Sequence, residues 1–270
     1  MRFFTRAKPS MLRMDRLGYR HWAHTPAGTR IYAIGDVHGR LDLLDEMHDL
    51  IRNDAEAAHP FKGVAGQRLM VVYLGDYIDR GPRSREVIER LLENPMSPDF
   101  EIVYMRGNHE DIMLGFLDNG TRAASWFRHG GRETLQSYGL AAPDPAADGE
   151  FPAARQALGE RLPAAHRTFL DATKVMHREG DYLFVHAGIR PGVQIEKQDP
   201  TDFMWIRHEF LESDVPSGVC VVHGHTIEAR PAITDQRIGL DTGAYYTGVL
   251  SCAVIEGDAV RFLQTAPFRT

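Results

Sequence analysis

Short runs of apolar residues, each the length of a β-strand, recur along the chain. Because they are apolar at consecutive positions and rich in Val, Ile, Tyr and Phe, they predict strands that are buried on both faces. Over Leu41 to Ala58 and Ser84 to Glu93, apolar residues recur every three or four positions, which predicts amphipathic helices. The predicted strands are Ile31 to Ile34, Leu69 to Leu74, Ile102 to Met105, Tyr182 to Val185 and Val219 to Val222.

The order of the predicted elements changes along the chain. The first half alternates strands and helices, whereas closely spaced strands over 237–240, 249–255 and 260–264 follow the strand at Val219 and predict a meander. Residues 118–178 contain an Ala/Pro/Asp-rich loop and a helical stretch, and we interpret them as a helical insertion because the strand pattern resumes afterwards. We therefore expect one domain over 29–270, preceded by a basic extension over 1–28.

Polar residues follow each of the five predicted strands at the point where the strand ends. In chain order, the strands lead into the segments GDVHG, GDYIDRG, GNHE, HAG and HGH. Ligands of an open α/β sheet bind outside the carboxyl ends of its strands, so we expect these side chains to converge on one edge. One His or Asp after a strand is usually a turn or cap residue, but five such ends together favour a metal centre.

The residue types at these strand ends indicate which metals would bind. They offer carboxylate, imidazole and amide groups without a thiolate, which suits manganese, iron, zinc or cobalt. Six ligands are too many for one ion with an open position, but they fit two ions that share a carboxylate. Such a pair activates water and binds phosphoryl oxygens, so the predicted reaction is hydrolytic phosphoryl transfer. The six candidates are Asp36, His38, Asp76, Asn108, His186 and His225.

Composition narrows the class of protein further. The chain has 270 residues, 25% of them charged, and a net charge of −6, which argues against nucleic-acid binding because that needs a basic surface. Cys220 and Cys252 lie in apolar runs and are expected to be reduced core residues of a cytoplasmic protein. The sequence has neither an apolar run of about 18 residues nor a secretory leader, so we expect no membrane association.

In order, spacing and context, the five motifs resemble those of the phosphoprotein phosphatase branch of the calcineurin-like metallophosphoesterases. The resemblance extends from Thr29 to approximately Gln264. It implies an α/β fold, in which a β-sandwich of two mixed sheets is flanked by helices, and a binuclear centre of divalent ions, with manganese expected first. It also implies direct attack on phosphorus by a hydroxide that bridges the two ions.

The resemblance implies a role for each predicted ligand. Asp76 corresponds to the bridge between the ions. His223 is not expected to be a ligand, and it either packs in the core, supports a metal ligand or faces the phosphate. The expected ligands are Asp36 and His38 for the first ion, and Asn108, His186 and His225 for the second.

The resemblance also implies an acid and a set of phosphate-binding residues. His109 corresponds to the group that protonates the leaving oxygen, and Asp79 to the carboxylate that orients its ring. Arg80 and Arg207 correspond to arginines that bind phosphoryl oxygens through two N–H groups at once, with Asn108 beside them.

Two substrate classes are compatible with these motifs. The expected one is a phosphoprotein, because a Ser or Thr alkoxide leaves poorly and needs the acid pair of Asp79 and His109; Glu110 points to the same branch. The alternative is a dinucleoside polyphosphate such as diadenosine tetraphosphate. A metal-binding scaffold without activity would lack a ligand or the acid, and none is missing. The sequence implies no obligatory regulatory subunit.

Overall fold

The computed structural model describes residues 13–15, 18–58, 68–93, 96–146 and 148–266. The described strands are β1 (Arg13–Asp15), β2 (Gly18–Arg20), β3 (Thr29–Ile34), β4 (Arg68–Tyr73), β5 (Phe100–Tyr104), β6 (Met176–Glu179), β7 (Tyr182–Val185), β8 (Cys220–His223), β9 (Ala232–Ile233), β10 (Arg237–Gly239), β11 (Ser251–Glu256) and β12 (Ala259–Gln264). They form two mixed sheets, with the strand orders β1-β2-β12-β11-β3-β4-β5 and β6-β7-β8-β10-β9. The predicted two-sheet α/β fold is confirmed.

Helices flank the two sheets. The described α-helices are α1 (Leu41–Ala58), α2 (Ser84–Leu92), α3 (Asn108–Asn119), α4 (Ala123–Trp126), α5 (Arg132–Ser137), α6 (Phe151–Arg161), α7 (Ala164–Ala172), α8 (Pro200–Trp205), α9 (His208–Leu211) and α10 (Ala244–Thr247). The predicted first helix agrees with α1 at both ends, and the second with α2 to within one residue. No helix in the described ranges is long and apolar enough to cross a membrane.

Alternate residues of the central strands enter two different cores. Tyr32 and Tyr73 pack under α1 and α2, whereas Ile31 and Val72 face the second sheet, where they meet Phe184. All six residues of β3 are buried, which explains why the strand is apolar at consecutive positions. Because β3, β4 and β5 run parallel, their carboxyl ends lie at the same edge of the sheet.

The predicted meander in the last part of the chain is wrong for β8 and β10. These strands pair in parallel, with Val222 opposite Ile238, and belong to the smaller sheet. Only β11 and β12 form the expected antiparallel hairpin, with Ile255 opposite Val260, and β11 then adds to β3 in the larger sheet. The segment between Gly239 and Ser251 therefore crosses from one sheet to the other.

The regions expected as insertion and extension have distinct positions in the fold. Helices α4 to α7 lie between residues 123 and 172, and Leu135, Leu158 and Leu170 bury their side chains in the core under α1 and α2. Residues 1–12, 16 and 17 of the expected extension lie outside the described residues. Within it, β1 and β2 pair with each other, and β2 continues the larger sheet beside β12.

Candidate metal centre

The six predicted ligands come together at the carboxyl ends of five strands. Asp36 and His38 follow β3, Asp76 follows β4, and Asn108 opens α3 after β5. The remaining two follow strands of the smaller sheet, since His186 comes directly after β7 and His225 comes after β8. All six are buried, with exposures of 6% or less.

Asp76 lies at the middle of the cluster. Its Oδ2 atom is 3.5 Å from His38 Nε2, 3.4 Å from His186 Nε2 and 3.8 Å from His109 Nε2. Two sets of residues could each hold an ion with ligand atoms within 4.8 Å of one another: His38, Asp76 and His109, and Asp76, His186 and His225. Since Asp76 is common to both sets, the geometry fits two ions that share one carboxylate.

Backbone carbonyls bond the Nδ1 atoms of His38 and His186, and the Nε2 atoms of both rings then face Asp76. His38 Nδ1 bonds the Ile78 carbonyl at 2.8 Å and His186 Nδ1 bonds the Leu74 carbonyl at 2.8 Å. Among the described residues, His38 Nε2 and His225 Nε2 are buried without any hydrogen-bond partner. Buried polar atoms without a partner are rare, and ring nitrogens held in this way are typical of metal ligands.

Asp36 has a different environment from the other predicted ligands. It belongs to neither three-residue set, and its carboxylate accepts the His225 backbone N–H, with distances of 3.2 and 3.1 Å to its two oxygens. A Cβ atom at Gly224 would lie 2.0 Å from Asp36 Oδ1, so only glycine fits there. The segment after β8 therefore packs directly on the segment after β3.

Burial favours neutral imidazoles at His38 and His225, whereas the carboxylates of the cluster favour a positive charge. Burial, with help from His109, keeps the pKa of His38 well below its usual range, and burial with His186 and Arg207 lowers the pKa of His225 to about 2. Burial opposes a charge on His186, but the carboxylates of Asp76 and Asp36 outweigh it and raise its pKa to about 10. These carboxylates require a positive partner, a role that a divalent ion can fill.

The backbone of the centre is strained at the predicted residues. His38, Asp76, Asp79, Arg80 and His225 have φ values of 46°, 52°, 71°, 67° and 65°. Such values are uncommon outside glycine, and among the described residues only one further non-glycine residue has a positive φ. Strained conformations concentrate at functional sites, where the surrounding structure holds them.

Glu110 holds two of the motifs together. Its buried carboxylate accepts the backbone N–H groups of Asp76 at 2.8 Å, Tyr77 at 2.8 Å and Gly107 at 2.9 Å. A Cβ atom on Gly107 would lie 2.1 Å from Asp76 Oδ1, so the GNHE turn can approach the bridge only through a glycine. Glu110 therefore fixes the position of Asp76 relative to α3.

His109 and Asp79 form a buried pair beside the cluster. His109 Nδ1 lies 2.6 Å from Asp79 Oδ2, and its Nε2 lies 3.3 Å from the guanidinium of Arg80. Two residues of the 118–178 segment hold the carboxylate in turn: the Trp126 indole N–H donates at 2.9 Å and the Thr134 hydroxyl at 2.6 Å. No sequence motif marked Trp126 or Thr134 for this position.

Arg80 and Arg207 lie near the residues of the centre. The guanidinium carbon of Arg80 lies 4.8 Å from the centroid of the Tyr245 ring, and that ring stands edge-on to His38 at 5.5 Å. Arg207 is exposed, and its charge contributes to the low pKa of His225, so it lies near that residue. Both arginines lack a carboxylate partner among the described residues.

Asp241 is a buried carboxylate that the sequence analysis missed. It is 3% exposed, its Oδ1 accepts the Gly243 N–H at 2.9 Å, and its Oδ2 has no partner within the described part of the chain. Burial and Asp241 together raise the pKa of Asp36, which puts the two carboxylates close together. The sequence does contain a signal for Asp241, because this residue comes shortly after the apolar end of β10, just as the predicted ligands come after their strands.

His223 packs rather than facing the cluster. It is fully buried, and its ring meets Phe210 edge-on at 5.2 Å. Its Nδ1 lies 3.0 Å from the Gly224 carbonyl, and burial lowers its pKa to about 3. His223 belongs to neither of the two candidate ligand sets.

A family model for the calcineurin-like phosphoesterases matches residues 29–246. The chain belongs to this family. Its phosphoesterase motifs are those at the strand ends, the family uses a binuclear metal centre, and the two residue sets that share Asp76 could hold those ions. The chain is therefore a phosphoester hydrolase.

Relatives of this phosphoesterase divide between two substrate classes. The asymmetrical bis(5′-nucleosyl)-tetraphosphatase PrpE of Halalkalibacterium halodurans is 25% identical over 81% of this chain and 87% of its own length. A serine/threonine-protein phosphatase with EF-hands of Rattus norvegicus is 32% identical, but over 39% of this chain and 13% of its own. A cold-active protein tyrosine phosphatase shares the fold, with a TM-score of 0.57, 15% identity and coverage of 94% of this chain and 85% of its own.

Proposed function

We propose that this phosphoesterase hydrolyses dinucleoside tetraphosphates. The observation that carries the proposal is the extent of similarity to a bis(5′-nucleosyl)-tetraphosphatase, which covers 81% of this chain and 87% of that protein. The similarity to a protein phosphatase extends over 106 residues only, which is 39% of this chain and 13% of that protein. Of the two substrate classes expected from the sequence, the comparisons favour the dinucleoside polyphosphate.

In this proposal His38 and Asp76 hold the first ion, and Asp76, His186 and His225 hold the second. His109 belongs to the first three-residue set but acts here as the acid and not as a ligand. Two divalent ions, when bound, lower the pKa of water and withdraw charge from phosphoryl oxygens. We expect Asp36 to complete the first set, and Asn108, whose Oδ1 lies 2.9 Å from His186 Nε2, to complete the second. The bonds from the Ile78 and Leu74 carbonyls keep the ligating nitrogens oriented.

Arginines and one histidine act on the substrate itself. Arg80 and Arg207 would bind the non-bridging oxygens of the reacting phosphoryl group and neutralise the charge that develops there. His109 would donate a proton from Nε2 to the departing oxygen, while Asp79 accepts a hydrogen bond from Nδ1–H and keeps the ring in that tautomer. Asymmetrical cleavage of the tetraphosphate would release one nucleoside triphosphate and one nucleoside monophosphate.

Phosphoserine and phosphothreonine proteins are the second candidate substrate. The observation in their favour is the intact pair of His109 and Asp79, both buried and 2.6 Å apart, because an alkoxide leaving group needs an acid more than a nucleotide anion does. A protonated His109 also neutralises charge on any phosphate, so the pair is compatible with both substrates.

The deciding experiment compares both substrates on one preparation of Mn²⁺-loaded enzyme. We expect kcat/KM for diadenosine tetraphosphate to exceed that for phosphoserine and phosphothreonine peptides by at least about tenfold, or roughly 1.4 kcal/mol of transition-state preference. Chromatography of the products should then give ATP and AMP in equal amounts. The reverse order of kcat/KM would transfer the function to the protein phosphatases, and two molecules of ADP would contradict asymmetrical cleavage.

A further inference from the structure

A cationic groove lies beside the metal centre. It has a volume of about 670 Å³, and Arg80, Arg128, Arg132 and Tyr245 line it together with a single carboxylate, that of Glu133. Positive groups thus outnumber negative ones along its wall, although the chain as a whole carries a net charge of −6. A groove of this charge suits an anion.

Arg128 is available to a ligand in this groove. Most arginines that the structure describes pair with a carboxylate, as Arg68 does with Glu101 and Arg190 with Asp202. Arg128 is exposed, and its guanidinium has neither an ion pair nor a hydrogen bond with any described residue. Arg132 differs, because its guanidinium donates to the Pro143 carbonyl at 3.1 Å.

The backbone fixes the position of Arg128. It lies in a π-helical turn over Phe127–Gly131, which kinks at Gly130, where φ is 112°. The Gly130 carbonyl accepts the Arg80 backbone N–H at 3.2 Å, and a Cβ atom on Gly130 would lie 2.4 Å from that nitrogen. Phe127 anchors the turn in the core. The turn is therefore held directly against the Arg80 loop, as π-helical turns at functional sites often are.

Arg80 connects the groove to His109, the expected acid. In an in-line displacement the leaving oxygen faces the acid, and His109 Nε2 is 3.3 Å from the Arg80 guanidinium that also lines the groove. A substrate that extends beyond the reacting phosphorus on the side of His109 and Arg80 would therefore enter the groove that Arg80 and Arg128 line.

We propose that this groove is a subsite for the non-reacting phosphates of the leaving group, with Arg128 as a residue that binds them and so determines specificity. The inference rests on the proposed function, because a dinucleoside tetraphosphate carries further phosphates beyond the scissile bond. An exposed arginine fork matches the paired oxygens of a phosphate, and the Tyr245 ring closes the end of the groove near the metal centre.

The test measures inhibition of p-nitrophenyl phosphate hydrolysis by tripolyphosphate and by inorganic phosphate, at constant free Mn²⁺. In the Arg128→Ala variant we expect the inhibition constant of tripolyphosphate to rise about tenfold, while that of inorganic phosphate stays within twofold of wild type. Arg128→Lys should recover only part of the loss, because an ammonium group cannot form the bidentate contact.

A matched control removes an arginine elsewhere on the surface. Arg178 is exposed on β6, and within the part of the chain that the structure describes its guanidinium donates to the Gly180 carbonyl alone. Arg178→Ala should therefore leave both inhibition constants unchanged. Thermal melting of all three variants separates a loss of binding from a loss of folding.

Three outcomes would overturn the subsite: an unchanged tripolyphosphate constant in Arg128→Ala, an equal rise for both inhibitors, or a rise in KM for a phosphopeptide alone. Because the assay uses p-nitrophenyl phosphate, it can be read even if diadenosine tetraphosphate is not hydrolysed. Selective loss of tripolyphosphate inhibition together with no tetraphosphate turnover would retain the subsite and reject the proposed substrate.

Discussion

His109 depends on a carboxylate that is itself held by residues far away in the sequence. Asp79 accepts hydrogen bonds from Trp126 and Thr134, which follow it by 47 and 55 positions. All four side chains are buried, so the network excludes water and fixes the ring of His109. The helical segment after α3 therefore contributes to the acid pair as well as to the core.

Removal of the Thr134 hydroxyl should weaken the acid without removing it. Thr134→Val keeps the shape of the side chain and loses a hydrogen bond to a charged group, so we expect kcat to fall about tenfold on a substrate with a poor leaving group. On p-nitrophenyl phosphate, whose leaving group needs little protonation, kcat should fall less than threefold. Steady-state kinetics on both substrates measures the difference.

Thr134→Ser is the matched control, because it retains the hydroxyl and should retain most of the activity. Equal losses on the two substrates in Thr134→Val would contradict a role through His109 and indicate general damage to the site.

The site residues in the motifs could be identified from the sequence, whereas the residues that hydrogen-bond them and hold them in place could not. Asp36, Asp76, His186 and His225 each follow an apolar strand, and a strand end fixes where the next side chain lies. Trp126 and Thr134 reach Asp79 only through the packing of α4 and α5, and no local spacing relates them to it. Their function is a property of tertiary structure.

At the scale of elements, a buried histidine links the first helix to the larger sheet. His48 of α1 is 1% exposed, and its Nε2 lies 2.7 Å from the Tyr73 hydroxyl on β4. Burial, together with the charges of Arg52 and Arg90, lowers the pKa of His48 to about 3. The unfolded chain has the ordinary value of 6.5, so between about pH 6.5 and 3 it binds a proton that the folded chain does not.

The fold should therefore lose stability on acidification through this contact. For wild type we expect His48 to contribute a fall of about 2 kcal/mol in the free energy of unfolding between pH 7.5 and 5. His48→Gln cannot titrate, so its free energy of unfolding should fall by about that much less over the same interval. Urea unfolding at both pH values measures it, and parallel losses in the two proteins would exclude His48 as the source.

Element types were easier to predict than element partners. Consecutive apolar positions in β3 report burial on both faces, and this correctly indicated strands covered on two sides. The same pattern does not reveal which strand is the neighbour. The pairing of β10 with β8 depends on contacts across the molecule, so the meander predicted from short spacings was wrong for that part.

At the scale of the whole molecule, strands of both sheets end at the candidate metal centre. The larger sheet contributes Asp36, His38, Asp76 and Asn108, and the smaller contributes His186 and His225. The smaller sheet does not supply a complete set alone, because the group around His186 and His225 takes Asp76 from the larger sheet. Loss of the shared carboxylate should therefore affect both halves of the centre.

Metal analysis of purified, Mn²⁺-saturated and desalted protein tests this most directly. We expect about two ions per chain in wild type and fewer than one in Asp76→Asn, since the bridge serves both positions. Asp79→Asn, a matched change from carboxylate to amide that spares every predicted ligand, should keep two. A single ion in wild type, or two ions retained in Asp76→Asn, would contradict a binuclear centre bridged by Asp76.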